Sequence, residues 1–370
     1  MNIQESDILN LIISNNYTNQ RKLAEVSGHS LGIVNRSIKE LIHGGYLDNS
    51  IQLTPKAITL LKESKPQRAI ILAAGFGMRM VPINMETPKG LLEIHGEPLI
   101  ERQIKQLHEV GIQEIYVVVG FMKEQYEYLI DDFGVELIVN PDYMIKNNLH
   151  SLYLAKDHLE NAYIIPCDIW CDYNPFQTLE FYSWYMVSDL VDNDSSVRVN
   201  RKLELTTIST KAGGNSMIGI SYLTKADAKL VRKNLETLDQ NPLYDNKFWE
   251  ETLYKNGKMI ISAKVVHSSD IVEINTFEQL RELDNHSSQL QSDILDIAAT
   301  ALKTVPDNIS NITVLKKGMT NRSFLFDYND HKYIMRIPGE GTDQLINRRE
   351  EAQVYQIIQN KGLCDDIEYI

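Results

Sequence analysis

Residues 72–104 read LAAGFGMRMVPINMETPKGLLEIHGEPLIERQI. Gly75 and Gly77 follow an apolar run directly, Arg79 comes next, and Lys89 stands ten residues beyond Arg79, behind Pro88. This set suits a polyphosphate. Several backbone N–H groups must come close to anionic oxygens, and an inward Cβ would block them. Glycine at 75 and 77 clears that approach and permits positive φ. Arg79 offers a fixed fork of donors, Lys89 a mobile point charge from the far end of the loop, and Pro88 stiffens the chain before it. The motif GKS or GKT is absent, which excludes a Walker loop, and no third glycine stands at the dinucleotide-binding position.

The surrounding elements put this loop at a sheet edge. RAIILAAG reads as a buried strand entering the glycine loop, LIERQIKQLHEVG as an amphipathic helix stopped by Gly111, and EIYVVVG as a second buried strand ending at Gly120. KEQYEYLIDDFG is a second helix, VELIVNP a third strand, SLYLAKDHLEN a helix and AYIIPCD a fourth strand. The alternation implies an α/β domain over residues 67–283, built on a mostly parallel, doubly wound, Rossmann-like sheet with both faces covered. Ligands then bind beyond the carboxyl ends of the strands. Asp168, at the end of AYIIPCD, falls on that edge.

Composition bounds the rest. A chain of 370 residues is too long for one ordinary core, so two or three domains are expected. No apolar run is long enough to cross a bilayer, and the N-terminus has neither a basic start nor a signal-peptide core, so a cytoplasmic location is expected. Three cysteines make no disulfide framework, and Cys167 and Cys171 lack a second Cys or His pair for zinc. The net charge of −13 excludes generic coating of nucleic acid and requires any phosphate site to be built locally.

Residues 1–65 read as helix, helix, turn, helix, wing, with Ser30 as an N-cap and Gly44-Gly45 as the stop of the third helix. This order resembles a winged helix-turn-helix module, whose third helix would present Asn35, Arg36 and Lys39 to a DNA groove. Seven Lys/Arg against six Asp/Glu give the segment no strong basic bias, so docking or dimerisation stands beside DNA binding.

The run Leu72-Ala73-Ala74-Gly75-x-Gly77-x-Arg79-Met80-x-Pro82, then Pro88-Lys89 and LLEIHGEPLIERQI, resembles the signature of nucleotidyltransferases that activate sugar phosphates and alcohol phosphates. The resemblance implies a nucleotide site over Leu72, Ala73, Ala74, Gly75, Gly77, Arg79, Lys89 and Gly120, with Arg79, Lys89 and Asp168 catalytic. It implies Mg²⁺ held by Asp168 and, in VHSSDIVEINTFEQL, by Glu273 and Asn275 on the same side of a strand. Asn275 is a departure, a neutral oxygen where related chains often carry a carboxylate, and Asp270 is the alternative ligand. The chemistry implied is attack of a phosphate oxygen on the α-phosphorus of a nucleoside triphosphate, with pyrophosphate leaving.

YMIKNNLHSLYLAKDHLENAYIIPCDIW, with Asn147-Asn148 and Ser151-Leu152-Tyr153, looks like the bacterial phosphocholine cytidylyltransferases, which implies CTP and phosphocholine as substrates. Asn148, Ser151, Trp184, Trp249 and Glu250 are the acceptor candidates, the tryptophans as faces of an aromatic cage for a quaternary ammonium. Sugar 1-phosphates or other amino-alcohol phosphates are alternative acceptors. A DNA-binding, metabolite-responsive regulator is the alternative of another class. Residues 295–370, with ITVLKKGMTNRSFLFDYNDHKYIMRIPG, resemble the start of the choline and aminoglycoside kinases. That resemblance implies a partial N-lobe without a catalytic loop, a phosphate turn at Gly318-Met319-Thr320-Asn321, Arg336 paired with Glu350 or Glu351, and a helix from about Leu345.

Overall fold

The computed structural model describes residues 1–14, 19–77, 87–193, 195–208, 213–284, 290, 293–315, 321–338, 347–359, 361–362 and 367–369. Arg79, Met80, Pro82, Gly318, Met319, Thr320 and Leu345 lie outside them. The chain divides into two compact units, Met1–Gly75 with Gln103–Val272, and Phe76–Arg102 with Glu273–Ile370.

In the second unit, the helix Phe277–Leu283 is tied to the strand that follows the linker. Glu278 accepts the Ile312 N–H at 2.8 Å, and Arg281 donates to the Ile309 carbonyl. Asp284 accepts the His95 N–H at 2.6 Å, next to the hairpin Glu93–Ile94 and Glu97–Pro98. The strands Ser310–Val314, Asn321–Tyr328 and His331–Pro338 form an antiparallel sheet, followed by the helix Arg348–Ile358. Arg336 donates to the Tyr355 hydroxyl, not to a glutamate. Glu350 is drawn into the N-cap with Asn347, and Glu351 pairs with Arg348, because both sit within one turn of those partners.

In the first unit, the strands Arg68–Ala73, Glu114–Val119, Glu136–Val139 and Ala162–Pro166 are parallel, as the alternating pattern requires. Beyond Ala162–Pro166 the sheet becomes mixed. Gly214–Leu223 runs antiparallel to it, Trp184–Asp192 antiparallel to that strand, and Lys258–Val266 parallel to Trp184–Asp192. The helical expectations shorten. KEQYEYLIDDFG is a 3₁₀ turn, Lys123–Tyr126, followed by Tyr128–Phe133, and SLYLAKDHLEN is helical over Asn148–Leu154, then 3₁₀ over Lys156–His158.

The N-terminal module contains α1 (Ile3–Ser14), α2 (Gln20–Ser27), α3 (Leu31–His43) and α4 (Pro55–Glu63). Asn19, Ser30 and Thr54 each cap a helix by accepting a backbone N–H, and Gly28 ends α2 in the left-handed region. An antiparallel bridge between Leu47 and Leu53 makes the wing. Eight buried side chains form its core: Ile8, Leu9, Ile12, Leu23, Val34, Ile38, Leu41 and Leu47. A core of that size is marginal alone. Phe181 of the sheet region packs against it, the Glu180 N–H donates to the Ser64 carbonyl, and the Tyr182 hydroxyl donates to Asp7 at 3.4 Å.

This docking seam contains buried charge. Asp7 also meets His29 Nε2 at 3.1 Å. Next along the chain from the seam, Glu180 accepts from Tyr163 and from Trp184 Nε1, each at 2.9 Å, with Lys264 Nζ at 3.8 Å. Burial pushes the Asp7 and Glu180 carboxyls above their usual range and pulls the Lys264 ammonium down. A carboxyl raised in the folded state favours folding below its ordinary pKa, and that contribution is lost as pH rises through the raised value. Urea unfolding of Asp7→Asn beside wild type should therefore show the wild type losing stability relative to the variant as pH rises above the ordinary carboxyl pKa of about 4. A wild type that gains over the same range would contradict burial as the dominant effect.

Candidate functional site

Register brings three strand ends to one edge. Ala73 is level with Val119, and Leu72 with Pro166. The pairing continues past the strands, with the Phe121 N–H on the Ala74 carbonyl at 3.2 Å and the Cys167 N–H on the Leu72 carbonyl at 3.3 Å. Leu72, Ala73 and Ala74 are buried, so their side chains belong to the core. Gly120 is needed for close packing: a Cβ there would lie 2.8 Å from the Ala74 carbonyl oxygen and 2.8 Å from Tyr143 Cβ. Gly75 does not take a positive φ, contrary to expectation for both loop glycines, and among the described residues nothing lies within 4 Å of where its Cβ would stand.

Asp168 is half-buried on the turn after Ala162–Pro166. Gln103, buried on the helix Leu99–Glu109, holds that turn by donating to the Pro166 carbonyl at 2.9 Å and the Ile169 carbonyl at 3.1 Å. The sequence reading passed over Gln103. The available signal was a polar residue on the apolar face of LIERQIKQLHEVG, where burial demands hydrogen-bond partners.

Within the second unit, Gly77 takes φ 64°, the conformation that favours glycine, and a Cβ there would touch the Lys89 side chain at 3.5 Å. Lys89 opens a 3₁₀ turn behind Pro88, and its Nζ donates to Asn275 Oδ1 at 2.9 Å. Gly77, Lys89 and Asn275 are thus brought together. Asn275 is not on a strand with Glu273, because the strand Ile271–Glu273 ends before it. Its N–H donates to Gln279 Oε1 at 2.7 Å, beside the capping box of Thr276 and Gln279, and this turn breaks the alternation the sequence implied. Its amide oxygen anchors a lysine.

The acceptor candidates separate into two groups. Asn148 Oδ1 accepts the Trp249 N–H at 2.8 Å, and Ser151 Oγ accepts from Asn140 Nδ2 at 3.0 Å. Trp249 packs against Tyr185, whose hydroxyl donates to Glu250 Oε1 at 2.8 Å. Trp184 does not join them, since successive strand residues face opposite sides of a sheet. Its ring, 1% exposed, packs against Tyr163 with Lys264 Nζ 4.0 Å from its centroid, so a cation of the protein's own already covers it. Trp249 is also 1% exposed, and with Tyr185 it forms a wall behind half-buried Glu250 rather than a cage face.

Among the described residues no three His, Cys, Asp or Glu side chains cluster as a metal cage. Within the first unit, Asp168 offers one hard carboxylate on the turn after Ala162–Pro166. That fits Mg²⁺, which binds through one or two carboxylates plus substrate phosphates and keeps several waters. It does not fit a protein-enclosed transition-metal site. Cys167 and Cys171 are both buried.

A Rossmann-like mixed sheet with a glycine loop on its carboxyl edge, preceded by a winged-helix module, defines the fold of a nucleotidyltransferase. Residues 69–173 match the MobA-like NTP transferase domain, and residues 1–48 match the winged helix-turn-helix DNA-binding family. The chain is 31% identical over 222 residues to the choline-phosphate cytidylyltransferase of Streptococcus pneumoniae, covering 59% of this chain and 96% of that protein. It is likewise 31% identical over 236 residues to the 2-aminoethylphosphonate cytidylyltransferase of Lancefieldella rimae, covering 59% and 92%. The solved structure of the CTP:phosphocholine cytidylyltransferase from Streptococcus pneumoniae aligns with a TM-score of 0.54 at 28% identity, over 60% of this chain and 98% of that one. The chain belongs to the cytidylyltransferases of the nucleotidyltransferase family.

Proposed function

We propose that this chain transfers CMP from CTP to phosphocholine, giving CDP-choline and pyrophosphate. The observation that supports a cationic acceptor is half-buried Glu250, whose Oε1 accepts from the Tyr185 hydroxyl at 2.8 Å, with the Tyr185 ring packed on Trp249. A carboxylate against an apolar wall attracts a cationic head more strongly than one in water, because the local dielectric is lower. A quaternary ammonium has no N–H to donate, so charge and apolar contact are the means left to recognise it. A hexose phosphate offers neither.

In the reaction, an oxygen of the acceptor phosphate forms a bond to the α-phosphorus of CTP. The bond from that phosphorus to the bridging oxygen breaks, and the electron pair leaves with pyrophosphate. The nucleophile is already an anion, so alignment and charge stabilisation are what the protein must supply. The backbone from Ala74 to Gly77 and the Arg79 guanidinium bind the phosphates. Lys89 offsets charge that builds on them, with its Nζ oriented by the Asn275 amide oxygen. Asp168 would hold Mg²⁺, which when bound supplies further charge neutralisation at the phosphate oxygens.

Pyrophosphate release measured with phosphocholine, 2-aminoethylphosphonate and a hexose 1-phosphate should favour phosphocholine. Lys89→Ala should lower turnover by about 10²–10³-fold with the fold intact. Equal use of the hexose phosphate would overturn the acceptor assignment, and near-normal turnover in Lys89→Ala would overturn the role of the lysine.

A second activity, DNA binding through α3, is favoured by the family match over residues 1–48 and by the exposure of Asn35, Arg36 and Lys39 on that helix. The docking seam uses α1 and the end of α4 and involves none of those three side chains. Arg36→Ala with Lys39→Ala should abolish a salt-sensitive gel shift of duplex DNA. Binding that survives both changes, or no binding by the wild type at low salt, would count against it.

A further inference from the structure

Residues 141–147 connect the nucleotide edge to the acceptor candidates. At one end, Tyr143 packs onto Gly120, whose missing Cβ also admits the Ala74 carbonyl. At the other, Asn147 caps the helix Asn148–Leu154, and Asn148 receives the Trp249 N–H. One buried side chain grips this connection from two sides. Lys146 Nζ meets the Asp239 carbonyl oxygen at 3.3 Å and its carboxylate oxygens at 3.4 and 3.5 Å. His150 Nδ1 meets Asp239 Oδ1 at 2.6 Å, while its Nε2 faces Asp142 at 3.5 Å. The Asn147 N–H donates to the Asp245 carbonyl at 2.6 Å, and Lys146 has Asp245 Oδ1 at 3.8 Å.

Asp239 is a costly residue for its position. Its side chain is 8% exposed, and it caps the carboxyl end of the 14-residue helix Lys225–Leu238, where the helix dipole disfavours a negative charge. Burying a carboxylate there is tolerable only because Lys146 and His150 surround it. A neutral cap would serve the helix better. What the charge adds is a fixed position for residues 142–150.

We propose that Asp239 is a positioning residue for the acceptor: it clamps residues 141–147 through Lys146 and His150, and so sets the Asn148–Trp249–Glu250 end that receives the cationic phosphate ester or phosphonate. Asp239 acts through these residues and touches no reacting atom. The inference rests on the reaction proposed above for its consequence, though not for the clamp itself.

Two measurements on Asp239→Asn separate these. Hydrogen–deuterium exchange over 141–148 should quicken by about tenfold, while the central strands Arg68–Ala73 and Glu114–Val119 keep their protection. With the best acceptor of the wild type, KM for the acceptor should rise by about tenfold and KM for CTP stay within about twofold. Lys146→Met, which cuts one arm from a more exposed residue, should shift both readouts in the same direction, and Lys146→Arg should restore them. It replaces Asp239→Asn if that variant does not fold. Unchanged exchange, or equal rises in both KM values, would overturn the proposal. If the wild type releases pyrophosphate with none of the acceptors, the assigned reaction fails while the exchange result still decides the clamp.

Discussion

The close approach of backbone to backbone at Gly120 is the constraint on which the nucleotide edge depends. Three parallel strands end in register, and the chain leaving the first of them must pass beside the chain leaving the second. A side chain at 120 would sit inside contact distance of both the Ala74 carbonyl and Tyr143. Glycine removes that conflict, and hydrogen bonding carries on from strand to loop through Phe121 and Ala74. The amides that follow Ala74 then start from a fixed place. The same packing brings Tyr143 in, so the chain leading to the acceptor candidates is set by the contact that sets the start of the glycine loop.

Charge is managed locally throughout. The chain carries a net −13, so a polyanion gains nothing from its overall field. Lys89 is oriented by the Asn275 amide oxygen. Elsewhere, Asp239 and Glu180 are buried carboxylates compensated by nearby cations and hydrogen-bond donors, and both hold chain segments together. The departure at Asn275 therefore reads as part of the lysine's anchoring.

Much of this was legible in the residues. The four parallel strands announce themselves as apolar runs ending in Gly, Asn-Pro or Asp, and Ser30, Gly28 and the wing follow from capping and turn chemistry. The antiparallel half of the sheet did not announce itself. Its strands carry irregular register and a glycine, Gly219, at φ 92° against Pro166, so their period is broken where it would have been read. Trp184, expected as a cage face, lies in the aromatic run 181–185, where the sequence is hard to read for a related reason. The residues of that run serve three separate neighbourhoods, Phe181 and Tyr182 the winged module, Trp184 the Glu180–Lys264 pair and Tyr185 the Glu250 carboxylate. Composition shows an aromatic cluster, but strand alternation, visible only once the strand is placed, divides it. Gln103 and Asp239 are likewise defined by partners more than sixty residues away.

The most direct test of the central claim exploits Gly75, where the described residues leave room for a side chain and the backbone has no need of positive φ. Calorimetric titration of CTP into wild type and Gly75→Leu should show equal thermal stability but about a hundredfold weaker nucleotide binding in the variant, because the added side chain fills the space the phosphates require. Undiminished CTP binding by a folded Gly75→Leu would contradict the account.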